Sequence, residues 1–256
     1  MINKTRIGSL EIGGETKFFR FEDKDDFKLA FAILYEKGNE RQIEEKDVDA
    51  VAIRIHSENP EEAIRQVEDF RKLCKKPLII YTPDNPSTDH IIIDAIARKF
   101  PNQGFLFCSA TAKNNASDIA RSCQKYGHNV SAYTTLDPGG AISLNKDLLK
   151  AGLSPNRIII DPLTSLIGYG VEYTISSMER IRLDALATDE TLRMPMLADM
   201  SSVTKIREAT TKDKQVYWEI LTGAAVLAAG ADLLLFKNIE ALKKVRQLAQ
   251  KLGGAR

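Results

Sequence analysis

The 256-residue sequence predicts a (β/α)8 (TIM) barrel preceded by a β-hairpin. Three observations carry that prediction. Eight short apolar runs, rich in β-branched and aromatic residues, recur along the chain, and longer amphipathic segments separate them. Their starts lie on average roughly 29 residues apart, about one strand–helix unit. Eight units in ~250 residues is the size of such a barrel, whereas doubly wound sheets more often stop at five or six strands.

The elements follow in chain order. The segment Ile7 to Phe21 has strand-like halves around Gly13 and Gly14, which reads as a hairpin. It is either a plug for the bottom of the barrel or a loosely attached arm. Glu22 to Asp26 reads as a solvated turn. The expected strands are Leu29–Tyr35, Ala50–Ile55, Leu78–Tyr81, Phe105–Cys108, Val130–Tyr133, Ile158–Ile160, Met194–Ala198 and Leu233–Phe236. The first connection, Glu36 to Asp49, is short and charged, so its helix is expected to be small or irregular. Pro60 to Leu73 places Ile64, Val67, Phe70 and Leu73 at helical spacing. Ser117 to Tyr126 reads as a helix stopped by Gly127. Met178 to Ala187 and Trp218 to Ala229 read as two more, and the nearly uncharged stretch Ile220 to Ala231 suits a buried helix. No linker divides the chain, so a single domain is expected, with the hairpin in 1–22 and the barrel in 28–256.

Composition limits the function classes. Hydrophobic residues make up 43%, enough for a sizeable core. The formal net charge of +1 gives no electrostatic argument for nucleic acid or a membrane surface. The N-terminus lacks the apolar region of a secretory signal, and no stretch approaches the ~20 apolar residues needed to span a bilayer. Three cysteines, Cys74, Cys108 and Cys123, without a Cys-x-x-Cys pair, argue for reduced thiols in the cytoplasm. They also argue against an iron–sulfur cluster held by this chain, since such clusters usually need four thiolates. His56, His90 and His128 lie in no ligand-spaced pair, so no metal site is expected.

In a barrel the functional face is the C-terminal end of the strands. The polar residues just after each run are therefore the candidates: Glu36, His56 with Ser57, Thr82 with Asp84, Ser109 with Thr111 and Lys113, Thr134 with Asp137, Asp161, Asp199, and Lys237 with Asn238. Asp161 stands out, because Pro162 ends ladder pairing and turns the chain outward. Its carboxylate could accept hydrogen bonds from an amide-like or pterin-like edge, or it could only organise a loop or cap a helix. Asp137–Gly140 reads chiefly as a turn, and Gly168-Tyr169-Gly170 as a loop whose backbone a cofactor could approach. His56 reads as a packed or structural histidine, and Cys108 as a small core residue. The rim formed by Ser57, Thr82, Ser109, Thr134, Asp161, Asp199 and Asn238 is polar but weakly charged. That suits a wide neutral cofactor edge better than a phosphate.

Several of these blocks also carry a resemblance. Tyr126–Val130, Arg157–Thr164, Ile167–Thr174 and Met178–Leu183 resemble the small (delta) subunit of the corrinoid iron–sulfur protein of the acetyl-CoA decarbonylase/synthase system. Met194–Met196, Ala228–Asp232 and the hairpin end at Phe19–Glu22 are similar to it too. The resemblance implies a barrel of the pterin-binding superfamily in one-carbon metabolism of the Wood-Ljungdahl pathway type, with little chemistry of its own. It pairs with a large subunit that carries a cobalamin-type corrinoid and an iron–sulfur cluster, or with another corrinoid protein, and a methyltransferase is a further partner. It implies that the strand ends, with Gly168, Tyr169 and Gly170, face the corrinoid. The chain is shorter than usual members in the first strand–helix unit and after Ser201. The alternative is an autonomous methyl-tetrahydropterin:corrinoid methyltransferase. Such enzymes resemble this chain around Asp161 but also use an Asp after the third strand and an Asn after the fourth, where Thr82 or Pro83 and Ser109 or Ala110 stand.

Overall fold

The computed structural model describes residues 1–18, 20–22 and 27–253. Among these residues, eight parallel strands form a nearly closed barrel: β3 (Ala30–Leu34), β4 (Ala50–Arg54), β5 (Leu78–Tyr81), β6 (Leu106–Ala110), β7 (Asn129–Tyr133), β8 (Ile158–Asp161), β9 (Leu197–Asp199) and β10 (Leu233–Phe236). All eight expected strands are present. Neighbours in sequence are neighbours in the sheet, and β10 pairs with β3. The ring closes between β8 and β9 through an Ile160–Met196 bridge and the Ile160 N–H donating to the Pro195 carbonyl at 2.8 Å. Strand β9 is shorter than the run from Met194 suggests, because Pro195 has no N–H to pair. No described helix is long and apolar enough to cross a membrane.

Around the barrel lie α1 (Glu40–Ile43), α2 (Pro60–Leu73), α3 (Asp89–Lys99), α4 (Ala116–Tyr126), α5 (Pro138–Lys150), α6 (Val171–Ala187), α7 (Lys212–Ala229) and α8 (Ile239–Lys251). The first is a single turn, as its short charged connection suggests. Helix α2 has the expected limits, set by Asn59, whose side chain accepts from the Glu61 and Glu62 N–H groups. Gly127 ends α4 in the left-handed region at φ 79°. Three expectations are corrected. Asp137–Gly140 is the start of α5, with Asp137 as cap and Pro138 in its first turn, where a missing N–H costs nothing. Helices α6 and α7 begin earlier than expected, at Val171 and Lys212. The uncharged part of α7 is not wholly buried, since Leu221 is 53% exposed.

Strand alternation divides the apolar residues into two clusters. Phe31, Ile33, Val51 and Ile53 point outward under the helices, while Ala30, Ala32, Ala50, Ala52, Leu233 and Leu235 point into the barrel. The alanines leave space in the barrel interior. Ile7 and Ile12 from the hairpin join that interior cluster, each wholly buried. Burying each contributes roughly 1.5–3 kcal/mol. The hairpin is therefore a plug, not a loose arm.

The hairpin pairs β1 (Lys4–Ile7) with β2 (Leu10–Gly13). Its turn lies at Gly8-Ser9 and not at Gly13-Gly14. Gly8, at φ 58°, stands where a two-residue hairpin loop needs a positive φ. Gly13 instead ends β2 at φ 92°, where a Cβ would come within 2.3 Å of the Asn3 carbonyl oxygen. The plug is fastened by a buried ionic group. Arg20 donates to Glu15 and, at 2.7 Å, to Asp232, and Arg182 donates to the other Asp232 oxygen at 2.8 Å. The expected turn at 22–26 falls on residues 23–26, which lie outside the described residues.

Candidate functional site

At the C-terminal mouth of the barrel, the ends of β4, β5, β6, β7, β8 and β9 surround a cavity of about 250 Å³. Asp161 closes β8 beneath it. Pro162 has no N–H to donate, and Leu163 turns the chain in the left-handed region at φ 69°, an uncommon conformation for a leucine. The turn lets the Leu163 N–H donate to Asp161 Oδ1 at 3.0 Å. The carboxyl is 5% exposed. Burial, and then the charge of Asp199, push its pKa up to about 7 against that hydrogen bond. At neutral pH Asp161 is therefore part acid, part carboxylate, and can donate or accept.

Asp199, at the end of β9, is held from three sides. Tyr81 donates its hydroxyl to Oδ2 at 2.9 Å, the Ser201 N–H donates to Oδ1 at 2.8 Å, and the Asp199 N–H donates to Thr164 Oγ1 at 3.1 Å. Burial, then the Asp199 charge, raise the Tyr81 phenol well above its usual value, so it remains a donor. Arg54 lies over the Tyr81 ring at 4.7 Å, donates to Ser201 Oγ at 3.1 Å, and sits 3.9 Å from Asp199 Oδ2. It is the cation in a lining that also holds Asp84, Asp89, Asp161 and Asp199. Three of these acids are among the strand-end candidates, and Asp89, from the first turn of α3, adds the fourth.

The structure brings six of the expected candidates together: Thr82, Asp84, Ser109, Thr111, Asp161 and Asp199 all line the cavity. The others lie elsewhere. Ser57 donates to Glu62 at 2.6 Å and accepts from the Asn59 N–H, ordering the entry to α2. Thr134 is buried, and its N–H ties β7 to the Asp161 carbonyl at 2.8 Å. Asn238 is buried against Glu219, to which its side chain donates at 2.8 Å. Gly168, Tyr169 and Gly170 form the loop into α6, where Tyr169 is 48% exposed and bonds Glu208. Gly170, at φ 96°, caps that helix.

Sequence reasoning passed over Arg54, Tyr81 and Tyr133, which also line the cavity. A signal existed for Arg54, the one charge inside the run Ala50–Ile55. Cys108 faces the barrel interior, with burial raising its thiol well above the usual value. His56 lies outside this cavity, along a groove beside α2. His128 is buried between β6 and α3, its Nδ1 accepting from the Phe105 N–H at 3.1 Å. Among the described residues, no three His, Cys, Asp or Glu side chains are grouped so as to hold a metal ion.

Comparisons with known proteins locate the chain. The fold is that of dihydropteroate synthases. The Yersinia pestis enzyme superposes with a TM-score of 0.66 over 98% of this chain and 100% of its own, at 11% identity. The Burkholderia cenocepacia enzyme gives 0.64 over 98% and 97%, at 15% identity. Identities this low establish the fold alone. By sequence the chain is similar to subunit delta of the acetyl-CoA decarbonylase/synthase complex. It is 33% identical to the Methanocaldococcus jannaschii subunit over 78% of this chain and 51% of that protein. For the Archaeoglobus fulgidus subunit the figures are 29%, 80% and 50%, and for the Methanopyrus kandleri subunit 28%, 96% and 71%. The chain thus spans about half the length of the first two relatives. Residues 6–251 match the family described as CO dehydrogenase/acetyl-CoA synthase delta subunit, and the chain belongs to that family.

Proposed function

We propose that this barrel is the partner chain of a corrinoid protein in methyl transfer linked to acetyl-CoA synthesis or decarbonylation, and that its mouth covers the corrinoid. Family membership supports the system, and the mouth supports the role. The single observation that carries the reading is a polar mouth whose lining contains no imidazole. A corrinoid, carried by a separate iron–sulfur chain, would bring a methyl group on cobalt. This chain's residues fit such a group as a cover, not as ligands. The ring is edged with amides, which hydroxyls and carboxylates such as Thr82, Ser109 and Asp199 can accept from. Asp161 can meet either the N–H or the carbonyl of an amide. The cavity, about 250 Å³, is below the usual range of roughly 300–1,000 Å³ for pockets that engulf a ligand. A wide macrocycle would lie across it and be screened from water.

The chain would act as one unit, hairpin 1–22 and barrel 28–256 together, in a reducing cytoplasm where Cys74, Cys108 and Cys123 stay free thiols. The test is affinity for a purified corrinoid iron–sulfur chain. Tyr169 and Tyr173, 48% and 65% exposed, flank the mouth-side loop. Their replacement by Ala should weaken the complex about tenfold or more while the thermal melt is unchanged. Failure of the wild-type chain to associate would refute the proposal.

One observation favours a second reading, a free methyl-tetrahydropterin methyltransferase. Asp84, three residues beyond β5, reaches the cavity and faces it with Asp161. A carboxylate from the third barrel strand is therefore present after all. Titration calorimetry with methyl-tetrahydrofolate separates the readings: micromolar binding lost in Asp161→Asn would favour the enzyme.

A further inference from the structure

Beside the mouth lies a groove of about 740 Å³, larger than the mouth cavity itself. Its cause is local. The other helices around the barrel run 11 to 18 residues, whereas α1 has four. One turn cannot cover the junction of β3 and β4. Ile53 and Ile55 from β4 and its exit, Tyr35 after β3, and Phe70 and Leu73 from α2 therefore line an open apolar trough. The Tyr35 and Phe70 rings meet at 5.1 Å, tilted by 52°, along one wall, and Leu73 stands 55% exposed at the far end of α2.

We propose that this groove receives an amphipathic helix of the corrinoid-bearing chain, apolar on the buried face and basic along its flanks. The inference rests on the reading of the mouth given above. Two features specify the occupant. The first is continuity: Arg54 lines both the groove and the mouth, so a chain covering one reaches the other. The second is charge. Glu40 on α1 and Asp69 on α2 stand on opposite flanks. Asp69 is paired only with Lys72, 2.7 Å away on the solvent side, an exposed contact of little net worth that a partner's Lys or Arg can replace. Lys37 and Arg54 line the groove too, on the strand exits at the mouth. They favour the negative, C-terminal end of the incoming helix there. A helix of about three turns, with apolar residues at i, i+3 or i+4 and i+7, fills such a trough in the usual helix-in-groove manner.

The experiment uses the full chain and a purified corrinoid iron–sulfur chain. Leu73→Glu puts a charge on the exposed end of the trough, and Asp69→Lys reverses one flank. Each should raise the dissociation constant tenfold or more, while Leu183→Glu, at an exposed position on α6, should leave it unchanged. A photoreactive benzoylphenylalanine at position 73 should crosslink to one amphipathic helical peptide of the partner, a readout that holds even if a substitution disturbs α2. If the complex forms with wild-type affinity in both groove variants and no crosslink appears, the groove inference falls and the reading of the mouth stands. If the wild-type chains do not associate at all, both fall.

Discussion

Replacing Asp161 by Asn should make stability less dependent on pH, because the folded chain holds a proton there that the unfolded chain releases. The carboxyl titrates near 7 in the folded barrel, and its ordinary value is 3.8. Between those values the folded state binds more protons than the unfolded one, so stability falls as pH rises from about 4 to about 7 and is flat above. About three pH units at about 1.4 kcal/mol each give a loss of roughly 4 kcal/mol. Asn keeps an oxygen for the Leu163 N–H, now 3.0 Å from Asp161 Oδ1, and carries no charge to desolvate. Glu219, which burial also raises to about 7, is common to both proteins and cancels in the comparison. The stability of Asp161→Asn relative to wild type should therefore grow by up to roughly 4 kcal/mol between pH 4 and pH 8, or about 8 °C in Tm for a chain of this size. Urea unfolding and thermal melts across that range are the assay. A difference that stays flat with pH would show that Asp161 ionises like an exposed carboxyl, and would remove the argument for a neutral donor at the mouth.

Two further outcomes follow from buried charge. His128, whose pKa burial lowers to about 4, stays neutral in the folded state while the unfolded chain protonates near 6.5. Stability should therefore fall by up to roughly 3 kcal/mol as pH drops from about 6.5 to about 4. Urea midpoints at pH 7 and pH 5 should differ less in His128→Gln than in wild type, and equal differences would contradict the burial argument. Asp232→Ala removes the acceptor shared by Arg20 and Arg182 and should cost about 3–5 kcal/mol. A loss below 1 kcal/mol by chemical denaturation would mean that water replaces the carboxylate readily.

The strands were legible because each must carry a continuous apolar run, buried inside and outside the barrel alike. The hairpin turn was not. Gly8-Ser9 and Gly13-Gly14 offer equal turn chemistry, and only the closeness of the Asn3 carbonyl to Gly13 assigns the second pair to a strand end. Helix starts were misread where a loop-like Gly or a charged first turn precedes the apolar face, as at Gly170 and Lys212. Within the mouth, Asp161 announced itself through Pro162. Tyr81 did not, because an aromatic at a strand end is an ordinary strand residue and the direction of its side chain depends on register in the closed ring, while Arg54 stood out only as the one charge in its run. Thr134 follows its strand as directly as Thr82 does, and Asn238 comes one residue later, yet both turn into the wall. Position after a strand selects the right end of the barrel but not the right side of the loop.

The ionic fastening of the plug has a consequence for assembly. Arg20 and Asp232 are 212 residues apart in sequence, so the hairpin meets this counter-charge only after most of the barrel strands have been synthesised. Until β10 is made, Ile7 and Ile12 have no closed interior to enter, and the Asp232 carboxylate that joins Arg20 to Arg182 is missing. Contacts of such separation delay folding, because loop closure must precede any gain from them. A chain cut before Asp232 is therefore expected to keep an unseated hairpin, which limited proteolysis of the truncated and the 256-residue chains side by side would check.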